Sequence, residues 1–462
     1  MQNRNNREGL RKEEEKLGTD PLPKLILTIG APMMISILCN ALYNVVDSIF
    51  VSRIEENALT ALSLAAPVQN IMSAIGSGIA VGLNAVISRA MGAKDDRKVA
   101  DTARASLFLA FAAWMINVLL CVCFAKHYMA WQSGGDREIY RYGYSYLRIV
   151  MLFSLGQMGQ WVFDRFLIST AKSNLFLVTL GVASVVNLIL DPILIFGYFG
   201  FPEMKTAGAA IATVIGQFCG AFAGILINKR WNQTIPIVFT GRVNWARVAD
   251  ILKIGIPTFI MQSVVSLSGI IMNTILQAFS YTAVAVMGIC VRLSTLATIP
   301  YHGINCGLIP IIAYNYGAGK RDRILESIRV VFRYDFILMG VVWVILTVFA
   351  APILRLFDAS PEMLAIGVGA VRIFAVCYYL STVGTVYSTV FQALGKGNYS
   401  MWLTITRQVI FPVLISAFAS RIGILWLVWA SYVLAELFSL PICAILMKKV
   451  KSNVLGISAG SS

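Results

Sequence analysis

Ser173-Asn-Leu-Phe-Leu-Val-Thr-Leu-Gly-Val-Ala-Ser-Val-Val-Asn187-Leu-Ile-Leu-Asp191-Pro192-Ile-Leu-Ile-Phe-Gly197 carries a single formal charge, Asp191. A run of about 20 apolar residues is what a helix needs to cross a bilayer, so the stretch reads as a transmembrane helix. A carboxylate facing lipid at such a helix's centre costs about 2.5–3.5 kcal/mol on the insertion scale. Something must offset that cost. Asn187 stands one helical turn back on the same face, and Pro192 removes a backbone donor and frees a carbonyl in the preceding turn. An intramembrane carboxylate with polar company is a functional-site hypothesis by default.

The same character extends along the chain. Of 462 residues, 58% are hydrophobic and only 13% charged, and the mean hydropathy is +0.74. Soluble domains run near 25% charged, so the chain reads as an all-α polytopic membrane protein. Candidate spans lie at 25–52, 58–88, 105–125, 142–163, 174–200, 206–228, 254–279, 283–316, 334–354, 373–395, 400–420 and 422–447. The fourth is the weakest, because Arg148, Asp164 and Arg165 crowd its ends. The net charge of +15 invites a nucleic-acid reading. That reading fails, because the basic residues sit in short loops between apolar runs. With the N-terminus inside, inner segments hold 27 Lys and Arg and outer segments 9. Both termini are therefore expected in the cytoplasm. The polar residues at 1–20 lack a signal-peptide core and read as a cytoplasmic tail. The eight cysteines all fall in apolar segments without ligand-like spacing to His127 or His302. This argues against disulfides, zinc or a resident cofactor. No dense His, Cys or acidic cluster suggests an enzyme.

The sequence repeats. Leu27-Thr-Ile-Gly30-Ala-Pro32 returns as Leu252-Lys-Ile-Gly255-Ile-Pro257, an offset of 225. Gly92-Ala-Lys-Asp-Asp-Arg97 returns as Gly317-Ala-Gly-Lys-Arg-Asp-Arg323 at the same offset. Six spans per copy is an even number, so the copies insert in the same direction. The expected architecture is twelve transmembrane helices in two pseudo-symmetric six-helix lobes, 25–230 and 251–447, facing each other across a cleft. A tail at 1–24, a basic linker at 231–250 and a tail at 448–462 lie in the cytoplasm. Such repeats support alternating access about a central site. The repeat counterpart of Asp47 falls near Met272, and that of Asp191 is Phe411. The N-terminal half therefore owns the central carboxylates.

In the first span Ser36, Asn40, Tyr43, Asn44 and Asp47 recur at spacings of three and four, a polar stripe on an apolar helix. At 1.5 Å per residue, Asp47 lies roughly 9 Å, Asp191 roughly 15 Å, and Thr213 and Gln217 roughly 12–18 Å below the outer surface. All can share one level. Two carboxylates with amide and hydroxyl oxygens suit a proton or Na⁺. Two close carboxylates in a low dielectric cannot both ionise cheaply, so the pair favours holding a proton. Asn40, Tyr43, Asn44, Gln217, Gln262 and Glu436 are candidates for lining the substrate cleft. Glu436 reads as the only deep acid of the C-terminal half, with Arg407 or Arg292 as a partner. His302 reads as a packed or cavity-lining side chain.

The pattern Leu42-Tyr-Asn-Val-Val-Asp-Ser-Ile-Phe-Val-Ser-Arg53, then Ile87-Ser-Arg-Ala-Met-Gly-Ala93, Asn187 to Gly197, and Gly208-Ala-Ala-Ile-Ala-Thr213 resembles the multidrug and toxic compound extrusion (MATE) family. Pro310-Ile-Ile-Ala-Tyr-Asn-Tyr-Gly317 adds to it. The resemblance covers about 24–450 and points to the bacterial multidrug export proteins. It implies a secondary antiporter in the bacterial cell membrane, acting as a monomer. Lipophilic organic cations, antibiotics and other xenobiotics among them, would leave in exchange for H⁺ or Na⁺. The family's N-lobe site maps onto Asp47, Asn187 and Asp191, and less directly onto Thr213, with Na⁺ expected at the first three if it is the coupling ion. One branch also uses acids in the seventh and tenth helices, which are absent from 254–279 and 373–395 here. A lipid-linked oligosaccharide flippase of the same wider superfamily is the alternative. Twelve spans and few intramembrane arginines argue against it.

Overall fold

The computed structural model describes residues 15–52, 54–237, 240–357, 360–454 and 456, apart from the side chains at 43–45, 48–49, 51–52 and 56. The described residues form helices and no strands. In chain order these are α1 (Leu22–Ser52), α2 (Glu56–Gly92), α3 (Asp96–Leu120, continuing to Gln132), α4a (Arg137–Leu152), α4b (Leu155–Ser169), α5 (Ser173–Phe196) and α6 (Lys205–Trp231). The second set is α7 (Trp245–Gln277), α8a (Tyr281–Ala297), α8b (Ile299–Gly317), α9 (Arg321–Val348), α10 (Pro361–Ala393), α11 (Gly397–Ile422) and α12 (Leu425–Asn453). Ten of these are long and apolar enough to cross a membrane, and α8a with α8b makes an eleventh, bent by 47°. The twelfth is α4. It breaks at Phe153–Ser154 and carries the charges that weakened its span in the sequence. The result is a multi-pass membrane protein with six helices in each half.

Local chemistry sets the breaks and ends. Asp136 caps α4a by accepting from the backbone of Glu138 and Ile139. Ser360 caps α10 through Met363, with Pro361 at the first helical position, where its missing N–H costs nothing. Gly197 ends α5 at φ 73°, in the left-handed region that a side chain with Cβ seldom enters. Pro300 follows the break after Thr298. Its ring cannot donate to the preceding turn, which accounts for the bend.

The helices sort into two compact units. One contains Ile35–Phe259 with the described residues up to Asp20, the other Pro21–Met34 and Ile260–Ser462. This differs from a division at 231–250. The first part of α1 packs in the C-terminal unit, and the first part of α7 packs in the N-terminal one. Glycines make both exchanges possible. A methyl on Gly78 would lie 2.6 Å from the Gly255 carbonyl, and one on Gly82 would lie 2.3 Å from the Ile251 carbonyl. In the other unit, a methyl on Gly30 would lie 3.1 Å from Ile304 Cα, and one on Gly303 would lie 2.7 Å from Met34 N. Gly30, Gly78 and Gly82 recur 225 residues later as Gly255, Gly303 and Gly307, so the exchange obeys the repeat. Small residues four apart let helix backbones approach this closely.

The N-terminal unit is latched at one end by polar contacts. Lys205 Nζ donates to Glu55 Oε1 at 2.5 Å and lies 2.9 Å from Tyr142 Oη. The Tyr142 hydroxyl donates to Glu55 Oε2 at 3.0 Å. Lys205 adopts φ 50°, an uncommon conformation for a residue with Cβ, and these contacts hold it there. The hydrogen bonds from Lys205 and then Tyr142 keep the Glu55 carboxyl below its usual value of 4.5. The latch is therefore fully present above 4.5 and lost as pH falls through the lower folded value. Protection from backbone hydrogen exchange at the start of α4a, relative to the intrinsic rate at each pH, is expected to fall only in that acid range. A Lys205→Met variant is expected to show the lower protection at neutral pH already.

Candidate functional site in the N-terminal unit

Close packing of α5 on α6 builds the site. Gly208, Ala212, Gly216, Gly220 and Gly224 recur every four residues on α6 and form one small-residue face. A methyl at Gly208 would lie 2.4 Å from the Leu194 carbonyl. At Gly216 it would lie 2.7 Å from the Ala183 carbonyl and 3.1 Å from Asn187 Cβ. Backbone contact on this face brings the side chains of α5 to those of α6. Asn187 Nδ2 donates to Thr213 Oγ1 at 3.3 Å and to Asp191 Oδ1 at 3.4 Å. Asn187 is 2% and Asp191 1% exposed, so neither faces lipid. Pro192 sits inside the helix without ending it.

Asp47 comes from α1. Its carboxyl lies within interaction range of that of Asp191, and two carboxyls that close in a low dielectric favour holding a proton. Four buried acceptors lack a donor among the described residues: Asp47 Oδ1, Asp191 Oδ2, Asn187 Oδ1 and Gln217 Oε1. Among the described residues no lysine or arginine is an electrostatic partner of either carboxyl. The site is therefore rich in oxygen and short of positive charge. Each buried acceptor without a donor costs about 1–3 kcal/mol, and a proton or a small cation would relieve several at once. Among the described residues no group of three or more His, Cys, Asp or Glu could hold a metal.

The structure thus brings Asp47, Asn187, Asp191 and Thr213 together, with half-buried Gln217 one turn along α6 from Thr213. Asn40 is exposed on α1 and Gln262 is half-buried on α7. The side chains of Tyr43 and Asn44 lie outside the described residues. Glu436 does not stand as an open cleft residue. It is 5% exposed and paired with Arg407 at 3.3 Å, whereas Arg292 is exposed. A further correction concerns Asp335. Glu436 is not the only deep acid of its half, because α9 begins at Arg321 and Asp335 lies inside it at 0% exposure. His302 is exposed and stacks on Tyr301, with ring centroids 4.6 Å apart.

Sequence reasoning missed Tyr146. It is 4% exposed, its hydroxyl accepts from Gln69 at 2.8 Å, and it lies within electrostatic reach of Asp47 and Asp191. Its signal was the pair Tyr142 and Tyr146, one turn apart on the amphipathic α4a. Gly216→Leu is expected to part α5 from α6. Activity that rests on this site should then fall to background while the protein still inserts and purifies, as measured by a functional assay alongside size-exclusion chromatography.

Comparison with known proteins bears on the fold and the repeat. The MatE family model matches residues 32–193 and again 257–418, two copies at the 225-residue offset. A multidrug export protein MepA of Staphylococcus haemolyticus (strain JCSC1435) is 27% identical over 426 residues, covering 92% of each chain. A multidrug export protein MepA of Staphylococcus aureus (strain MSSA476) is 25% identical over 411 residues, covering 88% of this chain and 90% of its own. Two solved structures share the fold. One is an outward-facing multidrug resistance MATE family transporter of the MOP superfamily, with a TM-score of 0.82 and 23% identity over 94% of this chain and 99% of that one. The other is a MOP superfamily transporter from Pyrococcus furiosus, with a TM-score of 0.84 and 21% identity over 96% and 99%. With two family-model copies at the repeat offset and relatives matched along nearly their whole length, the chain belongs to the MatE family.

Proposed function

We propose that this protein is a secondary multidrug efflux antiporter of a bacterial cell membrane, acting as a monomer with both termini in the cytoplasm. It exports lipophilic organic cations by alternating access and takes H⁺ or Na⁺ inward in exchange. The observation that carries the reading is the neighbouring pair Asp47 and Asp191, with orphaned oxygens around it and, among the described residues, no cation acting on it. Such a site is satisfied by a proton or a monovalent ion and unsatisfied without one. The names of the relatives support drug export. Ionised, the pair attracts a cationic drug; once neutralised, it no longer does. A ligand shifts the transport equilibrium only through this kind of difference between states.

A lipid-pyrophosphate flippase is less well supported, since the buried Arg407 is neutralised by Glu436 and leaves no open basic site there. The test is ethidium efflux from proteoliposomes under an imposed pH gradient, then under a Na⁺ gradient. Efflux driven by one of the two is expected. Efflux indifferent to both would sink the antiport reading.

A further inference from the structure

Asp335 lies in the apolar stripe of α9, where Ile324, Ile328, Val331 and Met339 are also buried. Val331 and Met339, one turn to either side, are 0% exposed, as is Asp335 itself. Aromatic rings of the same helix pack on α10. Phe332 meets Tyr387 at 5.3 Å, and Phe336 meets Tyr379 at 5.4 Å. A carboxylate here would have no counter-charge among the described residues. The charged or readily titrated groups on the elements packed against α9 are His302 on α8b, Glu362 and Arg372 on α10, and Arg355 on the short helix after α9. None of them is an electrostatic partner of Asp335, and neither are Arg329 and Arg333 on its own helix.

Among the described residues the one polar partner of Asp335 is Asn305 of α8b. Its Nδ2 donates to Asp335 Oδ2 at 2.7 Å and to the Tyr301 carbonyl at 2.8 Å. Both partners are acceptors, so the amide's orientation follows from the bonds. Two buried oxygens are then left without a donor, Asp335 Oδ1 and Asn305 Oδ1. A single proton on Asp335 Oδ1 turns that acceptor into a donor, and its natural acceptor is Asn305 Oδ1. The acid and the amide then close a ring of two hydrogen bonds, and both orphans are satisfied. Asn305 also holds the Tyr301 carbonyl in the first turns of α8b, just beyond the 47° bend. The ring is thus attached to the helix break.

We propose that Asp335 and Asn305 form a second proton-binding site, separate from the Asp47–Asp191 pair, and that its proton stabilises α8 in its bent form. The ligand is a proton and not a metal ion, because only two side-chain oxygens are free and one added hydrogen satisfies both. Loss of the proton would leave a bare carboxylate among apolar side chains. It therefore requires α8b to move and admit water. This adds a C-terminal titrating group to the transport reading without depending on it.

Infrared difference spectroscopy on the full-length protein in nanodiscs tests the site. A protonated-carboxyl band is expected at neutral pH, absent in Asp335→Asn and retained in Asp47→Asn/Asp191→Asn. In Asn305→Ala the band should persist at higher frequency, because its carbonyl has lost a donor. Protection from hydrogen exchange over 299–305, taken relative to the intrinsic exchange rate at each pH, should fall at high pH in the wild type and stay level in Asp335→Asn. A spectrum unchanged by Asp335→Asn, or a band unmoved by Asn305→Ala, overturns the site. Equal pH dependence of exchange in the wild type and Asp335→Asn overturns the link to the bend. Failure of the N-terminal coupling site would show in efflux by Asp191→Asn and leave these bands untouched.

Discussion

Asp191→Asn is expected to cut ion-driven efflux by at least about tenfold, equivalent to about 1.4 kcal/mol, with little change in thermal stability. The amide has nearly the shape of the carboxyl. It can still meet Asn187 and fill the same buried volume. What it cannot do is take up and release a proton, or offer a negative charge to an ion or a cationic drug. A second signature follows from the closeness of the two carboxyls. Groups that act as one unit are strongly non-additive. Asp47→Asn/Asp191→Asn should thus be no worse than the more damaging single variant. Wild-type, gradient-driven efflux by Asp191→Asn would remove the pair from the coupling mechanism. Additive losses would show that the two acids act separately.

Arg407→Ala is expected to be the most destabilising single change in the C-terminal unit. The guanidinium is 4% exposed and Glu436 5%. Nη1 donates to the Ser381 carbonyl at 2.8 Å and to Glu436 Oε2 at 3.3 Å, and Thr385 Oγ1 accepts as well. Gly384 makes room for it, since a methyl there would lie 2.5 Å from Nη1. Arg407 is carried on a π-helical turn at Thr406–Ile410, a local widening that often marks a specialised position. Truncation leaves Glu436 buried without its counter-ion, a loss of about 3–5 kcal/mol. Replacing both partners with apolar residues, as in Arg407→Met/Glu436→Leu, should recover most of it. Thermal unfolding in detergent measures both. An Arg407→Ala variant as stable as the wild type would mean that Glu436 finds another partner or stays neutral.

The candidate site was legible to the extent that its residues break an apolar pattern. Asp191 and Asp47 stand out because a charge within a spanning run has few alternatives to function. Gln217 and Thr213 followed from depth alone, since 1.5 Å per residue places them at one level. Asp335 escaped because α9 starts with Arg321, Arg323, Arg329 and Arg333. Its charged first turns look like loop, and the acid looked like the edge of a span. Tyr146 escaped because a tyrosine on an amphipathic helix is unremarkable until its neighbours are known.

The sequence by itself determined the membrane-spanning class, the two-fold repeat and the helix order. Each rests on a property of a run of residues: length and apolarity against a bilayer of fixed thickness, and recurrence at 225. Tertiary structure alone decided what depends on which faces meet. It set the exchange of the first parts of α1 and α7 between units, the choice of Arg407 over Arg292 for Glu436, the broken α8 and the pairing of Asp335 with Asn305. The physical reason is that helix contacts turn on close approach at particular small residues. Glycines at spacings of four occur along many faces of this chain, and only packing shows which of them another backbone uses.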